Sequence, residues 1–192
     1  IFVLIVSWFG ALQFKRIAGW LTIIEDANIS VQIDKYPHWR NTEKMGFPAN
    51  DEGRTVAGNT YERVAWATVG LSLVPKNPLG LGVLHRTFTK LLQDDFPGAS
   101  PPSTHSAWIE LTLAFGIPGI LMILGSLLTL ILLSLAGLSN PFSGLVLSLG
   151  IVILAIYTVG ELSVQHAVEI LFFLIAFLAT VRLPHLKKAK LT

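Results

Sequence analysis

Three long stretches in the second half of the sequence contain almost no charge, and this limits what the chain can fold into. Residues 117–138 and 142–160 carry no charged side chain, and residues 162–181 carry only Glu169. A membrane-spanning helix needs about 20 mostly apolar residues, and each stretch is close to that length. The sequence therefore predicts three membrane-spanning helices after residue 116.

The overall composition excludes several other classes of protein. Charged residues make up 14% of the chain, whereas a soluble domain carries about a quarter. The net charge of +2 is too small to form a nucleic-acid-binding patch. The absence of cysteine rules out a disulfide framework and a thiolate metal site. We expect a membrane protein that binds no nucleic acid.

The first half of the sequence is divided into a short apolar start and a long polar segment. Residues 1–14 are apolar but short, which suggests the end of a membrane span. Because the sequence begins at Ile1 inside this apolar run, we expect further chain before it. The predicted fold is an all-α polytopic membrane protein with about four transmembrane helices in this fragment. A long extracytoplasmic loop over residues 15–116 is expected to contain short amphipathic helices.

The orientation follows from the basic residues at the C-terminal end. Residues 182–192 contain four Lys/Arg, and such residues close to a span are typical of the cytoplasmic side. Counting back through the spans, with a tight turn at 139–141, places the loop outside, facing the periplasm in a bacterium. Lys15 and Arg16 then lie on the disfavoured side, although long translocated loops are largely exempt from the rule.

A first motif in the loop has the pattern of a helix start. Asn59, followed by Glu62 three residues later, resembles a capping box and predicts a helix from about residue 60 to about 74. Arg63 is then a fixed cation in the first turn, close to the membrane surface. The alternative is a surface arginine whose apolar stem lies in the interface.

A second motif places two glycines shortly after a proline. Pro78, Gly80 and Gly82 predict a tight turn with an exposed backbone. Such a backbone can approach a phosphate group closely. A plain turn without a ligand is the alternative.

A third motif opens a helix directly before the first complete span. Ser103 or Thr104 is expected to cap this helix and to place His105 at its first position. A helix N-terminus attracts anions and disfavours an imidazolium ion, so a neutral His105 suited to general-base chemistry is expected. The alternative is a hydrogen-bonded histidine at the membrane interface. Gly116 and Pro118 are expected to break this helix from the span.

The order of these motifs resembles the O-antigen ligase and O-antigen polymerase superfamily of bacterial membrane proteins, and most closely its ligase members. Residues 61–66, 78–82, 105–110 and 115–120 carry the resemblance, which covers about residues 40 to 135. It implies a glycan donor linked to undecaprenyl diphosphate, an inner-membrane location, and no metal or other cofactor. The acceptor is a hydroxyl of lipid A–core in ligases, or of another glycan in polymerases.

The resemblance also implies roles for individual residues. Arg63 is expected to hold the diphosphate, and His105 either takes the proton of the acceptor hydroxyl or hydrogen-bonds the diphosphate. The family often has Asn after the histidine, where this chain has Ser106. A further essential arginine lies in an earlier loop of the family, and neither Arg40 nor Arg54 can be assigned to it. Further residues are expected to contact the substrate: Gly80, Gly82, Trp66, Ser106 and Trp108.

Several alternatives stay open from the sequence. The tryptophans are more often membrane anchors than sugar-stacking surfaces. Glu169 is expected about one-third of the way into the last span, near Glu161 and His166. It then forms part of an ion path, supports the cavity of the site, or pairs with His166. A solute transporter and a membrane-anchored assembly protein without catalysis are the competing functional classes.

Overall fold

The structure is a computed structural model that describes residues 18–137, 142–160 and 165–189, with side chains over 19–137, 142–160 and 166–181. Several predicted features lie outside the described residues: the apolar start at 1–14, the turn at 139–141, and Glu161.

The described part of the chain is all helical. It contains seven α-helices and one 3-10 helix, Pro37–Arg40, with a single isolated bridge between Ala49 and Thr55 and no strand. The all-α prediction is therefore confirmed. The helices are α1 Ala18–Ser30, α2 Thr42–Met45, α3 Gly58–Leu73, α4 Thr87–Asp95, α5 Ala107–Ala136, α6 Ser143–Val159 and α7 Gln165–Ala189.

The chain is divided into two compact units. The first contains the described residues up to Thr68 together with Gly98–Pro101, and the second contains Val69–Pro97 and the described residues from Pro102 onward. The first unit thus includes Arg63, and the second includes His105.

The core of the first unit is built around aromatic residues. Trp39, Tyr61 and Trp66 are buried. The Tyr61 hydroxyl donates to the carbonyl of Tyr36 (2.7 Å) and accepts from the backbone N–H of Trp39 (3.1 Å). Burial raises the pKa of Tyr61 to about 12, so the phenol stays protonated and can donate at neutral pH.

A polar network ties the loop at 48–56 to helix α1 within the first unit. The Arg54 guanidinium lies 2.8 Å from a Glu25 carboxylate oxygen and 2.7 Å from one of Asp26. The buried Asp26 also accepts from the backbone N–H of Ala57 (3.0 Å). Asn50 donates its side-chain amide to Glu25 (2.7 Å) and accepts the backbone N–H of Arg54. The charge of Arg54 is therefore paired with two carboxylates within the first unit.

The second unit is held together by three apolar helices. Helix α5 packs against α6 and α7 through buried aliphatic side chains. Gly150 on α6 lets the helices approach, because a Cβ there would lie 2.7 Å from Cγ1 of Ile131. The buried residues that share this core include Leu127, Val146, Ile153, Tyr157, Leu171 and Leu178.

Helix α5 is broken once along its length, at the predicted position. Gly116 has φ 72° and ψ −178°, which is not helical, and Pro118 follows inside the helix. The backbone N–H of Ile117 donates to the carbonyl of Pro78 (2.8 Å), outside the helix. The predicted break between the third motif and the span is therefore confirmed.

Within the described residues, α5 is the one helix that is both long and apolar enough to cross a membrane, judged by length and composition alone. Helix α6 and the apolar part of α7, His166–Val181, are shorter than that criterion requires. The described structure supports one candidate span, and the polytopic architecture stays a prediction.

Candidate functional site

Arg63 lies on the exposed side of helix α3, but the helix start differs from the prediction. The helix begins at Gly58, so Asn59 is inside the first turn and Arg63 is in the second. The Asn59 side chain accepts from Nε of Arg63 (2.7 Å), and the Glu62 carboxylate accepts from the Thr42 hydroxyl (2.7 Å). The capping-box prediction is wrong, because both side chains bond elsewhere. The Asn59 contact instead fixes one edge of the guanidinium.

Trp66 occupies the core of the first unit. Its side chain is 6% exposed, and its indole N–H donates to the carbonyl of Trp39 (3.0 Å). Its burial and this hydrogen bond show that Trp66 is a packing residue. Little of its ring is accessible for stacking on a sugar.

His105 precedes helix α5 and does not belong to it. The helix begins at Ala107 with Ser106 as its N-cap residue, and His105 has a φ of 54°. Placement of His105 at the first helical position is therefore wrong. Few residues adopt a positive φ, although histidine does so more readily than most. The local structure must hold His105 in this conformation.

Two hydroxyl turns hold the His105 backbone in this conformation. The Ser103 hydroxyl accepts the backbone N–H of His105 (3.3 Å). The buried Thr104 hydroxyl accepts the N–H of Ser106 (3.3 Å) and donates to its carbonyl (3.0 Å). These side chains bond the loop backbone and not the helix N–H groups, as Ser and Thr often do. This is why the helix starts later than the sequence predicts.

The buried carboxylate of Glu110 closes the same turn. It accepts the backbone N–H of Thr104 (2.9 Å) from within the first turn of α5. The N–H of Ala107 donates to the carbonyl of Gly160 (3.0 Å). A carboxylate at a helix N-terminus already satisfies part of the helix dipole. The start of α5 is therefore less suited to an external anion than the sequence indicates.

The role of Glu110 was not predicted from the sequence. The available signal was its position, six residues after Thr104 and just inside an apolar helix, where a carboxylate can reach back to the preceding backbone.

Ser106 and Trp108 position this turn against the next helix. Ser106 is buried, and its carbonyl accepts the N–H of Glu110 (3.1 Å). The Trp108 indole N–H donates to the carbonyl of Leu154 (3.1 Å), and its ring lies 5.2 Å from that of Tyr157. Trp108 therefore connects α5 to α6 and holds the His105 turn on the helix pair.

The two glycines of the second motif pack against the break in α5. Both have positive φ, 74° for Gly80 and 75° for Gly82. A Cβ on Gly80 would lie 2.4 Å from the backbone nitrogen of Gly116. The N–H groups of Leu81 and Gly82 donate to the carbonyls of Leu113 and Ala114 (both 2.9 Å). These donors are therefore engaged within the protein, and the arrangement favours the plain turn over a phosphate cradle.

An apolar groove runs between α5 and α7 within the second unit. A cavity of about 390 Å³ adjoins a wider one of about 590 Å³. Both are lined by four residues in common: Met122, Ser126, Phe172 and Ile175. The periodicity of the single helices gave no sign of this groove, because it depends on how the two helices pack.

Glu169 and His166 form an exposed pair on α7. His166 Nδ1 lies 3.3 Å from a carboxylate oxygen of Glu169, as the pairing alternative predicted. No group of three His, Cys, Asp or Glu residues that could hold a metal occurs in the described part of the chain.

Comparison of the chain with protein-family models, curated proteins and solved structures gave no match. Any functional assignment must therefore come from the residues and their geometry. In the second unit the structure collects His105, Ser106 and Trp108 at the start of α5 and places Gly80 and Gly82 at its break. Arg63 and Trp66 belong to the first unit.

Proposed function

We propose that the chain acts in a bacterial inner-membrane glycosyltransferase that moves a glycan from undecaprenyl diphosphate to an acceptor hydroxyl. The resemblance to the O-antigen ligases suggests lipid A–core as the acceptor. The proposal includes a polytopic topology with residues 15–116 facing the periplasm. It also includes His105 and Arg63 as the catalytic residues.

One observation carries the proposal: the polar turn that contains His105 directly precedes helix α5, and an apolar groove runs along the same helix. The His105 turn precedes Ala107, and the groove begins at Phe115. Eight residues of helix correspond to about 12 Å along its axis. A lipid-linked donor has a charged head at the membrane surface and an apolar chain below it. Helix α5 offers a polar and an apolar environment in that order.

His105 is suited to a fixed polar contact because its backbone is held from both sides. As a general base it takes the proton of the acceptor hydroxyl while the oxygen bonds to the anomeric carbon. The bond from that carbon to the diphosphate breaks, and the negative charge leaves on the lipid diphosphate. As a diphosphate ligand it instead donates a hydrogen bond to the leaving group. General-base catalysis contributes about 10²–10⁴-fold in rate.

Arg63 is the proposed cation for the leaving diphosphate. A guanidinium is charged at any relevant pH and can bond two phosphate oxygens together. Arg63 is exposed, and the Asn59 contact to Nε orients one edge of its guanidinium. Lysine cannot reproduce this fork, so Arg63→Lys should lose most of the activity.

The test is glycan transfer by the full chain in nanodiscs, with an undecaprenyl-diphosphate oligosaccharide as donor. Lipid A–core and free glycan serve as alternative acceptors. His105→Ala is expected to reduce transfer by about 10²-fold or more. His85→Ala, an exposed histidine elsewhere in the predicted loop, is the matched control and should retain full activity. Full activity of His105→Ala would refute its catalytic role.

The acceptor used in this assay separates the related functions. Transfer to lipid A–core supports a ligase, and extension of the free glycan supports a polymerase. If neither acceptor is glycosylated while the protein carries a solute across the membrane, the glycosyltransferase proposal is wrong and the transporter class replaces it.

A further inference from the structure

The described residues in the first half of helix α1 form an exposed apolar surface. All described side chains from Gly19 to Ile24 are exposed, whereas burial begins at Asp26. Leu21 is 67% exposed. The helix then becomes amphipathic, with Ile29 and Ser30 buried in the first unit.

The absence of a buried face indicates what surrounds this part of the helix. A helix that docks on one protein partner presents an apolar stripe, with polar residues on its other side. In residues 17–24 the only side chain with a polar group, apart from the indole of Trp20, is Thr22. A helix that is apolar all round is buried in a large core or in lipid. The described residues of the first unit provide no such core for it.

The charges at both ends limit how this segment can meet a bilayer. Lys15 and Arg16 precede it in the sequence, and Glu25 and Asp26 follow it. The described residues between them, 18–24, extend about 10 Å as a helix, far less than the ~30 Å of hydrocarbon. The segment is too short to span, and the tryptophan at its centre is the residue type that anchors a chain at a membrane interface.

We infer that residues 18–24 lie in the lipid interface and hold the first unit at the membrane surface, with the Arg54–Glu25–Asp26 network marking the boundary with water. This extends the membrane contact beyond residue 14, where the sequence placed the start of the loop. The inference concerns membrane contact alone and does not depend on glycan transfer.

The lack of cysteine makes a direct test possible. Leu21→Cys and Val31→Cys are introduced singly into the full chain, which is reconstituted in nanodiscs. Both positions are exposed in the protein, at 67% and 50%. A water-soluble maleimide should label Cys at 21 about tenfold more slowly than Cys at 31, because an apolar environment suppresses the reactive thiolate. Equal labelling rates would overturn the inference.

A second measurement distinguishes lipid from a protein cover. An environment-sensitive fluorophore on each cysteine is exposed to phospholipids brominated at shallow or deep positions of the acyl chain. Quenching at position 21 that is stronger for the shallow bromines supports an interfacial helix. Protection without quenching would mean that protein covers the segment, and stronger quenching by deep bromines would mean that it spans. Either of these results would overturn the inference.

Discussion

Gly80 and Gly82 share a positive φ but differ in what surrounds them. A Cβ on Gly80 would collide with backbone atoms of Ala114 and Gly116, whereas a Cβ on Gly82 would meet nothing within 4 Å. Gly82→Ala should therefore cost only the left-handed backbone strain, about 1–2 kcal/mol. Gly80→Ala should cost more, because backbone cannot move aside as a side chain can.

Thermal unfolding of the two variants in detergent, followed by circular dichroism, checks this order. The opposite order would show that Gly80 does not pack against the backbone of helix α5. Loss of glycan transfer in Gly82→Ala with unchanged stability would restore the phosphate-binding interpretation of this turn.

At the residue scale, the sequence predicted the helices and turns around the candidate residues better than the hydrogen bonds that those residues make. His105 was predicted at the first position of a helix, but it precedes the helix and has a positive φ that the sequence did not indicate. That conformation depends on Ser103 and Thr104 bonding the loop and on Glu110 reaching back to Thr104. Ser and Thr can cap a helix or close a turn, and the choice depends on longer-range packing.

At the element scale, the link between α1 and the loop at 48–56 depends on Arg54. Arg54→Ala removes a charged hydrogen bond to the buried Asp26, and losing a partner of a buried charged group lowers stability more than losing an exposed ion pair. Lys76→Ala is the matched control, since its ion pair with Asp95 is more exposed and exposed pairs contribute about 0–1 kcal/mol. Chemical unfolding of the full chain in detergent measures both losses. Equal losses would contradict the importance of the Arg54 network.

The same network has a predictable dependence on pH. Hydrogen bonds from Asn50 and Arg54 hold the pKa of Glu25 below its ordinary value of 4.5. A lowered pKa means that the folded state favours the carboxylate. The contribution of Glu25 to stability is therefore complete above the ordinary value and is lost as pH falls through the lowered one. The stability difference between wild type and Arg54→Ala should shrink over that acidic range.

Local patterns predicted helices well where the helix boundaries are set locally. Helix α3 was expected from about 60 to 74 and extends from Gly58 to Leu73, ended in sequence by Pro75. The break at Gly116 was also expected. Helix α1 was not, because its apolar residues show no stripe that would mark a helix packed on protein. The contact of Gly80 with Gly116 joins residues distant in sequence, which no local pattern records.

At the scale of the whole molecule, the second unit exposes large apolar side chains on α6 and α7, as a membrane protein would. Ile151, Phe172 and Phe173 are among them, and contiguous apolar surfaces of this kind mark a membrane or protein contact. Among the helices of the described residues, only α5 is long enough by itself to be a candidate span. The polytopic proposal therefore depends on the apolar composition of α6 and α7 together with the exposure of their apolar side chains. The groove between α5 and α7 is the feature through which the proposed function can be tested.

Filling that groove should weaken binding of a lipid-linked donor without disturbing the core. Ser126 is exposed and lines both cavities, so Ser126→Phe places a ring inside the groove. Ser148→Phe on the exposed face of α6 is the matched control, since each serine makes a hydrogen bond to the carbonyl four residues earlier. We expect Ser126→Phe to raise the KM for the undecaprenyl donor at least about tenfold, which corresponds to about 1.4 kcal/mol of binding free energy. The KM for a donor with a short, water-soluble lipid should change little, because it would not occupy the groove. An equal rise for both donors would show that the substitution acts on the polar site and not on the groove. Unchanged KM values for both donors would show that the groove does not bind the donor.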